Sequence, residues 1–236
     1  MKRRPKSAVP EENPLAPAAD AATILQVKFW LTGISPTVWR RVLVSSSFTL
    51  RELHGVIQVA MGWEGIHLYD FHLRAACYGS FEVGASSPDV TLAALRFRKG
   101  ARFIYEYDLN IPWRHEIRIE DRLVPEGRKI YPVCTGGGAC PPEDCGGPES
   151  FMARRDDRFS VDALEDLDTV VEVLEQVALK DGSEPLALDQ ETRWRLEEAL
   201  ERTKAREEAR GRPFSRREVN ASLRDDEHHN LMHQQW

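Results

Sequence analysis

Leu25-Gln26-Val27-Lys28-Phe29-Trp30-Leu31, Gly33-Ile34-Ser35-Pro36 and Val38-Trp39-Arg40-Arg41-Val42-Leu43-Val44 follow one another near the start of the chain. In the first run Leu25, Val27, Phe29 and Leu31 alternate with Gln26, Lys28 and Trp30, the period of two that a half-buried strand requires. The Gly/Pro stretch turns the chain. In the second run Val38, Val42 and Val44 share a face with Arg40, while Trp39, Arg41 and Leu43 take the other. So short a connection predicts an antiparallel hairpin.

A helix follows. Thr49 and Glu52 have the spacing of a capping box, in which each side chain satisfies a free N–H of the first turn. Leu50, Leu53, Val56, Ile57, Ala60 and Met61 form its apolar stripe, and Gly62 is placed to end it. A third strand is predicted over His67–Leu73, with His67, Tyr69, Phe71 and Leu73 on one face. After a loop comes a helical turn near Leu92–Leu95. The fourth strand covers Arg102–Asp108, and the fifth begins at Trp113, where Trp113, His115, Ile117 and Ile119 alternate with charged residues. Strands and helices that segregate in this way predict an α+β fold.

From Cys134 to Pro148 the density of Gly and Pro argues against regular structure. Two helices are expected beyond it. The first spans Glu149–Arg155. The second spans Asp162–Leu179, with Asp162 and Glu165 as a capping pair and Leu164, Leu167, Val170, Val171, Leu174 and Val177 at helical spacing. Residues 189–210 favour helix but are nearly all polar, with Trp194, Leu196 and Leu200 as anchors. The end, from Arg212 to Trp236, reads as disordered. The organisation expected is a disordered arm over 1–22, a folded domain over 23–181 and a polar, helical to disordered tail over 182–236.

The 236 residues carry a net charge of −6. The arm and the tail are nearly balanced, so the deficit sits on the core. A duplex-binding surface neutralises phosphates with clustered Lys and Arg, and this core has no stripe of that kind. A protein partner is therefore favoured over nucleic acid. No stretch approaches the roughly 18 apolar residues of a membrane helix, and the Pro-interrupted N-terminus lacks a secretory signal. The expected location is cytoplasmic.

Three of the four cysteines fall in one loop with the spacing Cys134-x5-Cys140-x4-Cys145. In a reducing compartment such crowding points to metal or redox chemistry before a disulfide. Two readings stand. In one, Cys134, Cys140 and Cys145 bind zinc with His115 as fourth ligand and Cys77 as the next candidate. In the other they are three small buried residues in a tight metal-free loop. Glu143 and Asp144 are adjacent carboxylates that could serve as acid and base with His115, or cap local backbone. Arg40 and Arg41 point to opposite strand faces. The inward one needs a carboxylate, for which Asp70, Glu106 and Asp108 are candidates. The alternative is anion capture. His54, His67, His72 and His115 lie in the core, while His228, His229 and His233 lie in the tail. There is no phosphate loop, dinucleotide Gly pattern, His-Glu-x-x-His or Gly-x-Ser-x-Gly.

Trp39-Arg40-Arg41, Leu53-His54-Gly55-Val56-Ile57-Gln58, Gly62-Trp63, His67-Leu68-Tyr69-Asp70-Phe71, Tyr105-Glu106-Tyr107-Asp108, Trp113-Arg114-His115-Glu116-Ile117 and Cys140-Pro141-Pro142-Glu143-Asp144-Cys145-Gly146-Gly147, in that order, resemble the plasmid pRiA4b ORF-3-like family. Its members are carried on plasmids and insertion sequences, and some bear a resolvase-like label. The likeness covers about Ile24 to Leu179. It implies a curved, largely antiparallel sheet flanked by helices, and it implies no particular reaction. One departure is visible: Tyr107-Asp108-Leu109-Asn110-Ile111-Pro112-Trp113 lacks the Gly-Asp turn usual in the family. Arg40, Arg41, His67, Asp108 and Trp113 are the binding candidates. The expectation is an accessory or interaction module of mobile elements, with zinc as its candidate cofactor. The alternative is a metal-assisted hydrolase or nucleic-acid-processing enzyme using His115, Glu143 and Asp144.

Overall fold

In the computed structural model, which describes residues 23–157, 160–179 and 188–233, the hairpin closes as its alternation requires. Strands β1 (Ile24–Leu31) and β2 (Trp39–Ser45) pair antiparallel, with Val27 opposite Val42 and Lys28 opposite Arg41. The helix α1 (Leu50–Met61) has the expected capping box. Glu52 N–H donates to Thr49 Oγ1 at 3.1 Å, and Thr49 N–H donates to Glu52 Oε2 at 2.7 Å. Gly62 ends it at φ 80°, a left-handed conformation that a residue with a Cβ resists.

Five further strands complete the sheet: β3 (Tyr69–Leu73), β4 (Ala76–Gly79), β5 (Arg102–Tyr107), β6 (Trp113–Leu123) and β7 (Val133–Gly137). Their order is β4-β3-β5-β6-β1-β2-β7, with every neighbouring pair antiparallel. One face carries Val27, Phe29, Val42, Phe71, Tyr105, Trp113 and Ile117, all buried under α1. Each such side chain contributes about 1.5–3 kcal/mol by leaving water.

Two strands differ from expectation. β4 is too short to show a period in the sequence. β7 occupies Val133–Gly137, where the Gly count predicts an irregular loop. Here glycine makes the pairing possible: a Cβ at Gly136 would stand 2.6 Å from both Arg40 Cδ and the Trp39 carbonyl oxygen.

The C-terminal region is the larger correction. After α2 (Gly147–Asp157), α3 (Val161–Leu179) and α4 (Gln190–Glu208), the chain forms α5 (Arg216–Arg224) and α6 (Glu227–Leu231) where disorder is expected. Both pack on α1, and α5 also packs on β7. Arg212 and Cys140 exchange backbone hydrogen bonds of 2.7 and 2.8 Å, which ties this segment to the glycine-rich loop. The approach of α6 depends on Gly55, where a Cβ would lie 2.0 Å from the His228 carbonyl oxygen. The expected arm over 1–22 and the segment 180–187 lie outside the described residues.

The cap of α3 also differs. Ala163 N–H donates to Ser160 Oγ at 3.3 Å, so Ser160 holds the N-terminus where Asp162 and Glu165 were expected to. Its partner is α4, where of the expected anchors Trp194 and Leu200 are exposed and Leu196 is half-buried, and buried Ala199 joins Arg202 and Arg206 in the contact. Those two arginines each meet the buried Asp166 at 2.6 Å. Among the described residues no helix is long and apolar enough to cross a membrane.

Candidate functional site

The family-like motifs converge at the end of the β5–β6 hairpin. Tyr107 and Trp113 are the last cross-strand pair before its turn. Asp108 makes that turn itself: at φ 58° it accepts from Asn110 N–H (3.3 Å) through its side chain and from Ile111 N–H (3.1 Å) through its carbonyl. An Asp that satisfies its own loop in this way needs no following Gly.

The Pro141–Cys145 segment lies across this end of the sheet and is pinned by two indoles. Trp63 Nε1 donates to the Pro141 carbonyl and Trp113 Nε1 to the Glu143 carbonyl, each at 2.9 Å. Glu143 is then held by both carboxylate oxygens. Oε1 accepts from the Tyr107 hydroxyl in a very short bond, and Oε2 accepts from Glu64 N–H at 2.6 Å. Burial first, and the Glu143 carboxylate next, hold the Tyr107 phenol well above its ordinary range. One residue on, Asp144 Oδ1 stands 2.7 Å from His67 Nε2. His67 N–H also donates to the Tyr107 hydroxyl at 3.2 Å. Thus His67, Asp108, Trp113, Glu143 and Asp144 do gather, with Tyr107, Trp63 and Glu64 as members that residue-by-residue reasoning passed over. The motifs Gly62-Trp63 and Tyr105-Glu106-Tyr107-Asp108 already contained two of them.

His115 does not join this group. It is buried among Phe29, Trp63 and Tyr105, and its Nδ1 donates to the Trp113 carbonyl at 3.0 Å. Burial pushes its pKa down to about 3, so it is a neutral packing residue. His54 is similar, pushed down to about 3 by burial and by Arg51, with Nδ1 2.7 Å from the Tyr105 hydroxyl. Gln58 Nε2 donates to the same hydroxyl at 2.8 Å.

The cysteine loop is not assembled as a ligand set. Among the described residues no three of Cys134, Cys140, Cys145 and His115 bring donor atoms within 4.8 Å of one another. Burial pushes the Cys134 and Cys140 thiols up to about 12, against the pull of nearby Arg40. A different trio does converge within that distance: Asp70, His72 and Cys77. Asp226, His228 and His229 form a second, but His228 is buried in the α6 contact and stacked on Phe48 at 5.8 Å.

The inward arginine is Arg40, and its partners are carbonyls where a carboxylate was expected. Nε donates to Ala60 O at 2.7 Å, and Nη1 to Trp39 O at 2.8 Å and Gly137 O at 2.9 Å. The exposed carbonyls at a helix C-terminus carry partial negative charge, so α1 supplies what an acid would have. Phe214 stacks over the guanidinium at 4.6 Å. A cavity of ≈ 290 Å³ opens beside it, lined also by Glu64, Arg212 and Glu218. Arg41 faces outward and forms a two-point pair with Glu120, at 2.5 and 3.0 Å.

Chemically, the Tyr107–Glu143 and His67–Asp144 contacts form a clasp. The carboxylate best placed to act as a base, Glu143, already accepts from two protein donors.

The sequence profile of the proteins described as plasmid pRiA4b ORF-3-like matches residues 23–176. The uncharacterized protein y4hQ of Sinorhizobium fredii is 36% identical over 137 residues, spanning 56% of this chain and 71% of that protein. The crystal structure of the protein of unknown function MM3350 from Methanosarcina mazei Go1 superposes with a TM-score of 0.56 at 27% identity. That match covers 72% of this chain and 97% of the other.

Proposed function

This chain belongs to the plasmid pRiA4b ORF-3-like family, and from that membership we propose that it is a protein-binding accessory module that holds a helix of another protein along α3. The family's description supports a place among plasmid-borne accessory genes.

One observation carries the binding role. Leu164, Leu167, Val171 and Leu174 follow the 3-4-3 spacing of a coiled-coil seam, and they are 59%, 50%, 49% and 58% exposed. The sequence places these residues at helical spacing, which does not say what covers them. In the structure α3 buries Ala163, Asp166 and Val173 and leaves its most apolar stripe uncovered. A contiguous exposed stripe of this kind marks a contact surface.

The chemistry of the occupant follows from the flank. Beside the seam stand the exposed Glu165, Asp168, Glu172 and Glu175, and α3 contains no Lys or Arg. Two copies of α3 laid together would oppose like charges, which disfavours self-association. An amphipathic helix with basic residues bordering its apolar face fits instead.

Titrating the full chain with a helical peptide bearing Leu at the seam positions and Lys at the flanks tests this. Binding that is lost in L167E/L174E, and lost when the peptide's Lys are changed to Glu, is the expected result. Equal binding of both peptides, or binding retained by the double variant, would overturn it.

A further inference from the structure

We propose that Asp70, His72 and Cys77 form a Zn²⁺ site on the face of the sheet turned away from α1, with Glu106 beside it.

The strand register creates the group. Asp70 and His72 are two apart on β3, so both leave the face that carries Tyr69 and Phe71. Cys77 lies opposite His72 on β4, and Glu106 lies opposite Asp70 on β5. Directly opposite residues share a face, so β3 and β4 bring three donors within 4.8 Å of one another, and β5 sets Glu106 beside His72.

Their separations suit one ion. His72 Nε2 is 2.9 Å from Asp70 Oδ1 and 3.5 Å from Glu106 Oε2, and Cys77 Sγ is 3.4 Å from Asp70 Oδ2. Ligands bonded tetrahedrally at about 2.0–2.3 Å stand roughly 3.3–3.6 Å from each other, so the His72–Asp70 contact would open by about 0.4 Å on binding. The mixed sulfur, nitrogen and oxygen set matches zinc, which accepts all three, and suits neither Mg²⁺ nor Ca²⁺.

A second observation points to an ion rather than a plain surface ion pair. Asp70 is only 8% exposed, and its buried Oδ1 has no hydrogen bond, although His72 Nε2 is 2.9 Å away without the alignment of one. A buried carboxylate oxygen without a donor is costly, and a cation would satisfy it. Outside the three, Glu106 can orient the His72 ring, and Arg114 Nε in turn stands 3.7 Å from Glu106 Oε1. A thiol binds an ion as thiolate, so the ion displaces a proton from Cys77.

The site is separate from the α3 seam, so either proposal can fail alone. The test uses the full chain stripped with chelator and titrated with Zn²⁺ by calorimetry, with Co²⁺ as the spectroscopic probe. The expected results are one equivalent bound, proton release on binding, and a thiolate-to-cobalt charge-transfer band. Cys77→Ser should abolish the band, and His72→Ala should weaken binding more than about 100-fold. Arg114→Ala should cost only the 10–100-fold typical of outer-shell changes. His229→Ala should change nothing. Thermal melts of the stripped proteins check folding, and Asp70→Asn offers a shape-preserving second ligand variant. No stoichiometric binding, or a cobalt band that survives Cys77→Ser, overturns the site.

Discussion

The side-chain amide of Asn220 takes both backbone hydrogen bonds of Cys134: Oδ1 accepts from the Cys134 N–H at 2.8 Å, and Nδ2 donates to the Cys134 carbonyl at 2.7 Å. One side chain of α5 thus stands in for the next strand at the free edge of β7. Such an edge is otherwise open to pairing with another chain. Asn220→Ala would leave two polar groups of a buried residue without partners, at about 1–3 kcal/mol for each. Urea unfolding should show a total loss of about 2–6 kcal/mol. A loss under about 0.5 kcal/mol would mean that water replaces the amide and the edge was never closed.

Arg40 and Arg41 should separate sharply under the same substitution. Arg40→Met leaves three carbonyl acceptors unmatched and should cost about 3–5 kcal/mol in equilibrium unfolding. Arg41→Met breaks a pair at the surface and should cost at most about 1 kcal/mol. Similar, small losses at both positions would contradict the carbonyl-capping role of Arg40.

Acid should destabilise the fold well before its carboxylates titrate. Unfolded, His54 and His115 take up protons near the ordinary value of about 6.5; folded, burial holds both at about 3. Their contribution is fully present above pH 6.5 and is lost as pH falls toward 3. Between pH 7.5 and 5 the loss should be about 2 kcal/mol for each histidine. Burial and His229 lower His228 as well, so unfolding free energies measured across that range should slope as for at least two protons, and for one fewer in His115→Gln. A flat profile would show that the folded rings take up protons as readily as the unfolded ones.

Gly55→Ala should release the C-terminal helices. The new methyl would overlap the His228 carbonyl, and neither backbone can yield without moving α6 off α1. The expected cost is about 1–3 kcal/mol, with faster proteolysis between Gly211 and Leu231. Ala at Val56, whose side chain faces the core, serves as a comparison that destabilises without exposing that segment first. Unchanged proteolysis in Gly55→Ala would remove the glycine from the docking contact.

Much of the sheet was legible because its physical cause is local. Val27, Phe29, Ile117 and Ile119 repeat every second residue, and Thr49 with Glu52 signals a helix start from four residues alone. Helix α3 shows the limit of the same logic. Its stripe has the period of a packed helix, yet period says only that a face exists, not what covers it. The cysteine loop shows another limit. Proximity in sequence suggested a shared ligand, but β7 carries Cys134 into the sheet while Cys140 pairs its backbone with Arg212.

Composition and alternation by themselves determined an α+β chain, an antiparallel first hairpin, the capped helix α1 and an inward-facing arginine on β2. Only the tertiary structure decided what that arginine meets, where the C-terminal residues go, and which donors share a face. The reason is that strand pairing joins residues far apart in the chain. Cys77 and Glu106 reach Asp70 from β4 and β5, and Asn220 reaches Cys134 across 86 positions. No local period encodes such distances; they are set when apolar faces close on one another and bring their polar neighbours with them.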